Sequence, residues 1–162
     1  MSPKKKAKKR KILRHTYSHT HLSLSGKKLD PEKITNALSI EPDRFSYRGE
    51  EFMRGGKLCK TSIGFWGIKD RLRSDANLRN KIKDILDQIM PKKKVLRKIL
   101  KEAKGELTIA VEPPKGAVNS NYFFPAELIN EFTSLGIDIN LSFWDPHTFD
   151  EFWETKDEPS KY

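Results

Sequence analysis

The chain has 162 residues, of which 36% are hydrophobic and 33% charged, with a formal net charge of +10. That length fits one domain plus tails and suffices to bury a core without disulfides or metal. The single cysteine, Cys59, excludes an intrachain disulfide framework, and no stretch approaches the roughly 20 apolar residues of a membrane span.

The first fourteen residues carry Lys4, Lys5, Lys6, Lys8, Lys9, Arg10, Lys11 and Arg14 and no acid. Like charges repel and bury nothing, so residues 1–14 read as a disordered basic arm. No apolar run follows them, which argues against a secretory signal and for a cytoplasmic protein. His15 to Ser25 reads as a strand. Ser18, Thr20, Leu22 and Leu24 point one way, Tyr17, His19, His21 and Ser23 the other, and Gly26 ends it.

Asp30-Pro31 opens a short helix, with the carboxylate as cap and proline at the first helical position. Ile34, Ala37 and Leu38 share a face, and Pro42 is the expected stop. Arg44 to Phe52 reads as extended or hairpin-like, with turns at Gly49 and at Gly55-Gly56. Thr61 to Ile68 is expected as a strand carrying Ile63, Phe65 and Trp66, with Gly64 and Gly67 marking a bulge or a close backbone approach.

Ser74 or Asp75 is the expected cap of the best-marked helix, whose stripe is Leu78, Ile82, Ile85, Leu86 and Ile89. Pro91 makes a corner or kink, and Val95, Leu96, Ile99, Leu100 and Ala103 continue a helical face. Gly105 is the expected residue just past that helix. Leu107, Ile109 and Val111 alternate along a strand over Glu106 to Glu112, which Pro113-Pro114 ends. After a loop at Asn119 to Asn121, Tyr122 to Phe124 forms a short strand or a helix run-in. Pro125 then opens a helix with Leu128, Ile129, Phe132 and Leu135 inward and Gly136 as its stop. Ile137 to Phe143 is the final strand.

Strands with one apolar face, interspersed with amphipathic helices, predict a single α+β domain over 15–144. Its sheet is mixed or antiparallel, with helices packed mainly on one face. Residues 145–162 form an acidic aromatic tail. There Phe149, Phe152 and Trp153 stand at helical spacing, able to dock on the domain or on a partner, and the acids can pair with the basic arm.

Three stretches carry a resemblance. Tyr17 to Pro42 holds a strand ending in Ser-Gly, then Leu29-Asp30-Pro31-Glu32, a short helix and Ile40-Glu41-Pro42. Gly64 to Asp70 is a tryptophan-bearing strand, and Leu78 to Lys104 sets Leu86 and Pro91 between two amphipathic halves. Together they resemble the bacterial family named domain of unknown function 4279. The resemblance covers most of the body, implies its fold, and carries over no reaction. The basic arm and the acidic tail lie outside it.

The candidate chemistry is electrostatic. The arm can release counterions from a polyanion such as nucleic acid, giving salt-steep, sequence-tolerant binding. Lys92, Lys93, Lys94, Arg97, Lys98 and Lys101 near the Pro91 corner can extend that cationic surface, or simply form a solvated helix face. No recognition helix or aromatic RNA-binding motif accompanies them. His19 and His21 would stand ~7 Å apart on one strand face, a spacing that can hold zinc with His15, but no further ligand is marked, so no metal or cofactor is assigned. Cys59 lies between Lys57 and Lys60 without a marked base, and no phosphate-binding glycine loop occurs, so no catalytic residue is assigned. The expected function is a non-catalytic binding protein with an anionic partner. The alternatives are a protein-interaction module of inhibitor or immunity type, and an enzyme if a pocket joins His19, His21 or Cys59 to a carboxylate.

Overall fold

The computed structural model describes residues 17–112 and 122–143. The basic residues from Lys4 to Arg14, His15, the loop at Asn119 to Asn121, and the tail with Phe149, Phe152 and Trp153 lie outside that range. The described chain is a single α+β domain. Strands β1 (Tyr17–Gly26), β2 (Arg44–Ser46), β5 (Gly64–Lys69), β6 (Lys104–Glu112) and β7 (Ile137–Phe143) form one sheet in the order β2-β5-β1-β6-β7. Strand β1 pairs antiparallel with β5 and β6, and β2 pairs antiparallel with β5. β6 and β7 run parallel, which needs a crossover, and helix α4 (Ala126–Ser134) lies on that connection. The sheet is therefore mixed.

Side-chain alternation decides the two faces. Ser18, Thr20, Leu22 and Leu24 of β1, Trp66 and Ile68 of β5, and Leu107, Ile109 and Val111 of β6 are buried on one face. Against them pack Ile34 and Leu38 of α1 (Pro31–Leu38), Ile82, Ile85, Leu86 and Ile89 of α2 (Leu78–Ile89), Leu96 of α3 (Lys93–Ile99), and Phe132 of α4. The Trp66 indole donates to Thr35 Oγ1 at 3.0 Å, which joins β5 to α1 and satisfies the one polar atom of a fully buried ring. The opposite face carries His19, His21, Ser23, Phe65, Lys69, Glu106, Thr108 and Asn140, all half-buried or exposed.

Several local expectations change. Helix α1 starts at the Asp30 cap, whose Oδ1 accepts from Glu32 N and Lys33 N at 3.1 and 3.4 Å. It ends earlier than Pro42, at Ser39, which turns left-handed (φ 54°) and donates to Thr35 O. Ala37 is left exposed. The cap of α2 is Asn77, not Ser74 or Asp75: Asn77 Oδ1 accepts from Arg79 N at 2.8 Å. A 3-10 turn at Met90–Lys92 joins α2 to α3, so Pro91 makes a corner between two helices. Gly105 is not a helix terminus but the second residue of β6. A Cβ there would come within 2.6 Å of Leu100 and 3.1 Å of Ile137, so glycine is set by the close approach of helix to sheet.

The expected strand from Thr61 starts only at Gly64, leaving Ile63 exposed. The residues before it, expected only to break at Gly55-Gly56, form two strands. β3 (Glu51–Arg54) and β4 (Lys57–Lys60) make a separate two-stranded ribbon around Gly55-Gly56. No alternation marks it because Phe52, Met53 and Leu58 are exposed. Tyr122 to Phe124 adopts no regular element.

Two ionic arrangements hold α2 to the sheet. Lys81 is 1% exposed; its ammonium donates to the Ser18 carbonyl and, at 2.9 Å, to the Ser74 carbonyl. Burial lowers the Lys81 pKa below the usual lysine value, against the opposing pull of Asp70 and Asp75. Asp84 receives Arg71 through both the guanidinium (2.7 Å) and the backbone amide (2.9 Å). The hydrogen bond from the Arg71 side chain, more than any other contact, lowers the Asp84 carboxyl below its ordinary value.

Lys81→Ala removes the buried donor and opens a cavity, and is expected to cost about 2–4 kcal/mol in urea unfolding. Because the folded-state pKa of Lys81 is depressed, the unfolded chain binds its proton more tightly. The wild-type chain should therefore gain stability relative to the variant as pH rises through the folded value toward 10.5. A pH-independent difference would show that Lys81 titrates alike in both states. For Asp84 the sign reverses. Its contribution is present above the ordinary carboxylate value of 3.8 and is lost as pH falls through the depressed folded value. Asp84→Asn should lower the denaturation midpoint at neutral pH, with the gap narrowing as pH falls below 3.8; a gap that stays constant into acid would contradict this assignment.

Candidate functional site

Two surfaces concentrate polar chemistry, and they lie toward opposite ends of β1. Ser18, at the start of β1, bonds to Ser74 and Lys81, whereas Gly26, at its end, lies beside the backbone of Glu102 and Ala103 just after α3.

The first surface is the outer face of α3. The apolar residues Val95, Leu96 and Ile99 turn toward the core, which leaves the alternate positions to solvent. Lys94, Arg97, Lys98 and Lys101 are exposed and have no carboxylate in ion-pair contact among the described residues. Their neighbours differ. Lys93 pairs with Glu131 of α4 at 3.5 Å, Lys83 with Asp87 at 2.9 Å and Arg79 with Glu127 at 3.1 Å. Lys92 is half-buried in the 3-10 turn. Of the six basic residues expected near the Pro91 corner, four thus form an unpaired strip and Lys93 serves to hold α4. The strip continues to a shallow cleft of about 300 Å³ between α1 and α3, where Lys28, Lys33 and Lys98 meet Asp30 and Glu102.

The second surface is a cleft of about 440 Å³ at the Ser18 end of β1, on the side of the sheet face that carries His19 and His21. It exists because β5 ends at Lys69 while β1 continues back to Tyr17, so beyond His21 the β1 edge meets the 70–76 loop instead of a strand. His19, His21, Asp43, Arg44, Phe65 and Lys69 line it, with Thr20, Gly67 and Asp70 deeper. Gly67 has no side chain because the Phe65 ring lies over it: a Cβ there would stand 3.2 Å from that ring and 3.3 Å from Leu22 O.

The carboxylates of the cleft are committed. Asp70 is buried and accepts from Thr20 N at 3.0 Å and from Leu72 N at 3.2 Å. Asp43 accepts from Lys69 N at 2.8 Å and pairs with the Lys69 ammonium at 3.5 Å. Arg44 has no carboxylate in ion-pair contact among the described residues. Burial first, and Arg44 second, lower the His21 pKa, while Glu106 on β6 pulls the other way. Glu106 itself is held ionised below its ordinary value, chiefly by the Asn140 amide at 3.1 Å. The Thr20 hydroxyl is buried without a hydrogen-bond partner among the described residues.

The cleft brings His19 and His21 close to Asp43 and Asp70, as an enzyme would require, but both carboxylates spend their oxygens on amides and on Lys69. Cys59 lies on β4, outside this lining. Among the described residues no cluster of three or more histidine, cysteine or acidic side chains could hold a metal ion. No described helix is long and apolar enough to cross a membrane. Sequence reasoning found the two histidines by alternation but missed Arg44, Asp43 and Lys69, which sheet order alone brings beside them.

No curated protein and no solved structure matches the chain. The model of a family described as Domain of unknown function (DUF4279) matches residues 15–146, a span that contains all the described strands and helices. The chain therefore belongs to the DUF4279 family.

Proposed function

We propose that this is a non-catalytic binding protein whose basic surfaces engage an anionic partner, most simply nucleic acid. The observation that carries the reading is the contrast along the helices. The exposed cations Arg79 and Lys83 of α2, and Lys93, find carboxylates, whereas Lys94, Arg97 and Lys98 of α3 and Lys101 just after it do not among the described residues. Unpaired cations on one rigid strip are the electrostatic footprint of a polyanion site. The eight charges between Lys4 and Arg14 add a second cationic segment. Its attachment, at the Tyr17 end of β1, stands about 30 Å from the α3 end by strand geometry. Strip and arm would together engage one extended polyanion.

One observation favours a second reading, a protein-interaction module of inhibitor or immunity type. The β3–β4 ribbon, apart from the main sheet, exposes Met53 and Leu58 as a cross-strand pair at 63% each, with Phe52 at 41% beside Met53 on β3. Exposed apolar side chains grouped on one element are typical of packed protein interfaces. A partner held through that ribbon would survive high salt and be lost in Met53→Ser/Leu58→Ser.

Binding to a DNA duplex and to single-stranded RNA across a salt series tests the leading reading. Each phosphate contact contributes about 0.9 to the log–log salt slope on duplex DNA. Replacing Lys94, Arg97, Lys98 and Lys101 together by alanine should flatten the slope by about 3–4. A chain starting at His15 should flatten it further. Undiminished binding by both variants would refute the proposal.

A further inference from the structure

We propose that the cleft between β1, β2 and the 70–76 loop is a binding site for a small organic anion: a carboxylate or phosphate group held by Arg44 and His21, on a planar or apolar body resting against Phe65. It goes beyond the polyanion reading and uses none of the α3 residues.

Size and shape come first. A cleft of about 440 Å³ falls in the range of small-molecule sites, which combine an apolar wall with a few convergent polar groups. The apolar wall here is Phe65 and Leu72. The absent side chain at Gly67 lets the Phe65 ring lie flat along the strand and keeps the cleft open beside it.

Charge decides the ligand class. The cations that face the cleft are Arg44 from β2 and Lys69 from β5; the acids are Asp43 and Asp70. Asp70 is buried, with each oxygen accepting from a backbone amide, and Asp43 pairs with Lys69. Arg44 is left as the cation without an ion-pair partner among the described residues, and a guanidinium is the donor best matched to an oxyanion. A cationic ligand would have to compete with Lys69 and the backbone amides for these carboxylates.

His21 adds a second donor on demand. Its imidazole faces Arg44 from β2, Lys69 from β5, Glu106 from β6 and His19 on its own strand. Burial and Arg44 disfavour its charged form in the empty cleft. An anion seated between Arg44 and His21 offsets both effects, so binding draws a proton onto the ring.

The test is imidazole NMR on the full chain in phosphate-free buffer at about 0.15 M salt. The probes are benzoate and phenyl phosphate, with neutral benzamide as control. The expected result is a saturable shift of the His21 resonances by at least one anionic probe, and a rise of the His21 titration midpoint when it is bound. Which probe binds identifies the oxyanion as carboxylate or phosphate. Arg44→Ala should weaken binding at least tenfold, as loss of a charge-assisted donor pair predicts. Arg44→Lys, which keeps charge but loses the planar fork, should recover only part of it. Gly67→Ala, which displaces the Phe65 ring, should weaken binding while leaving duplex binding unchanged. The α3 alanine variant should bind both probes like wild type. The proposal is overturned if no probe gives a saturable shift up to about 10 mM, if benzamide binds as well as the anions, or if Arg44→Ala binds undiminished.

Discussion

The whole molecule depends on the alternation of β1. This ten-residue strand is paired along both edges, to β5 and to β6, so its backbone is committed and its side chains must divide between two faces. Ser18, Thr20, Leu22 and Leu24 go under the helices, and His19, His21 and Ser23 go to the other face. A slip of one residue would send two histidines into the core and two leucines out of it. The same register that closes the core thus arms the cleft.

Polar groups buried under the helices are the cost of that arrangement, and they are mostly satisfied. Lys81 reaches from α2 to two backbone carbonyls, one on β1 and one on the 70–76 loop, and Asp70 returns two backbone amides from the same region. Arg71 fastens the loop to Asp84 of α2. The loop that forms one wall of the cleft is therefore held by charge-assisted hydrogen bonds on both sides, which is the rigid support a preorganised site needs. The Thr20 hydroxyl remains without a hydrogen-bond partner among the described residues, on the helix side of the sheet.

The basic strip on α3 follows different physics. Nothing packs over Lys94, Arg97, Lys98 and Lys101 among the described residues, so they act through charge and salt, with little demand on shape. The cleft acts through shape and a few fixed donors. One fold can carry both because the first uses the outside of the helix layer and the second the free face and edge of the sheet. The structure establishes the fold, and family membership leaves the chemistry to these surfaces.

What could be read from the sequence was whatever depends on neighbours in the chain. Period-two alternation located β1, β6 and β7, the helical stripe located α2, and Asp30-Pro31 located the start of α1, because each pattern reflects a local geometry that a short window contains. Local signals misled where a competing contact won. Asn77 rather than Ser74 or Asp75 caps α2, since the Ser74 carbonyl and the 70–76 loop are drawn to β1 and Lys81. Gly105 looked like a helix stop, yet it serves the packing of Leu100 and Ile137. The β3–β4 ribbon escaped because it has no buried face to impose alternation. Residue types alone showed two histidines and an excess of cations. Only the strand order β2-β5-β1-β6-β7 put Arg44, Asp43 and Lys69 beside His21, and Glu106 on its far side. Those residues are separated by tens of positions, and no local pattern encodes which strand lies next to which; tertiary pairing decides it.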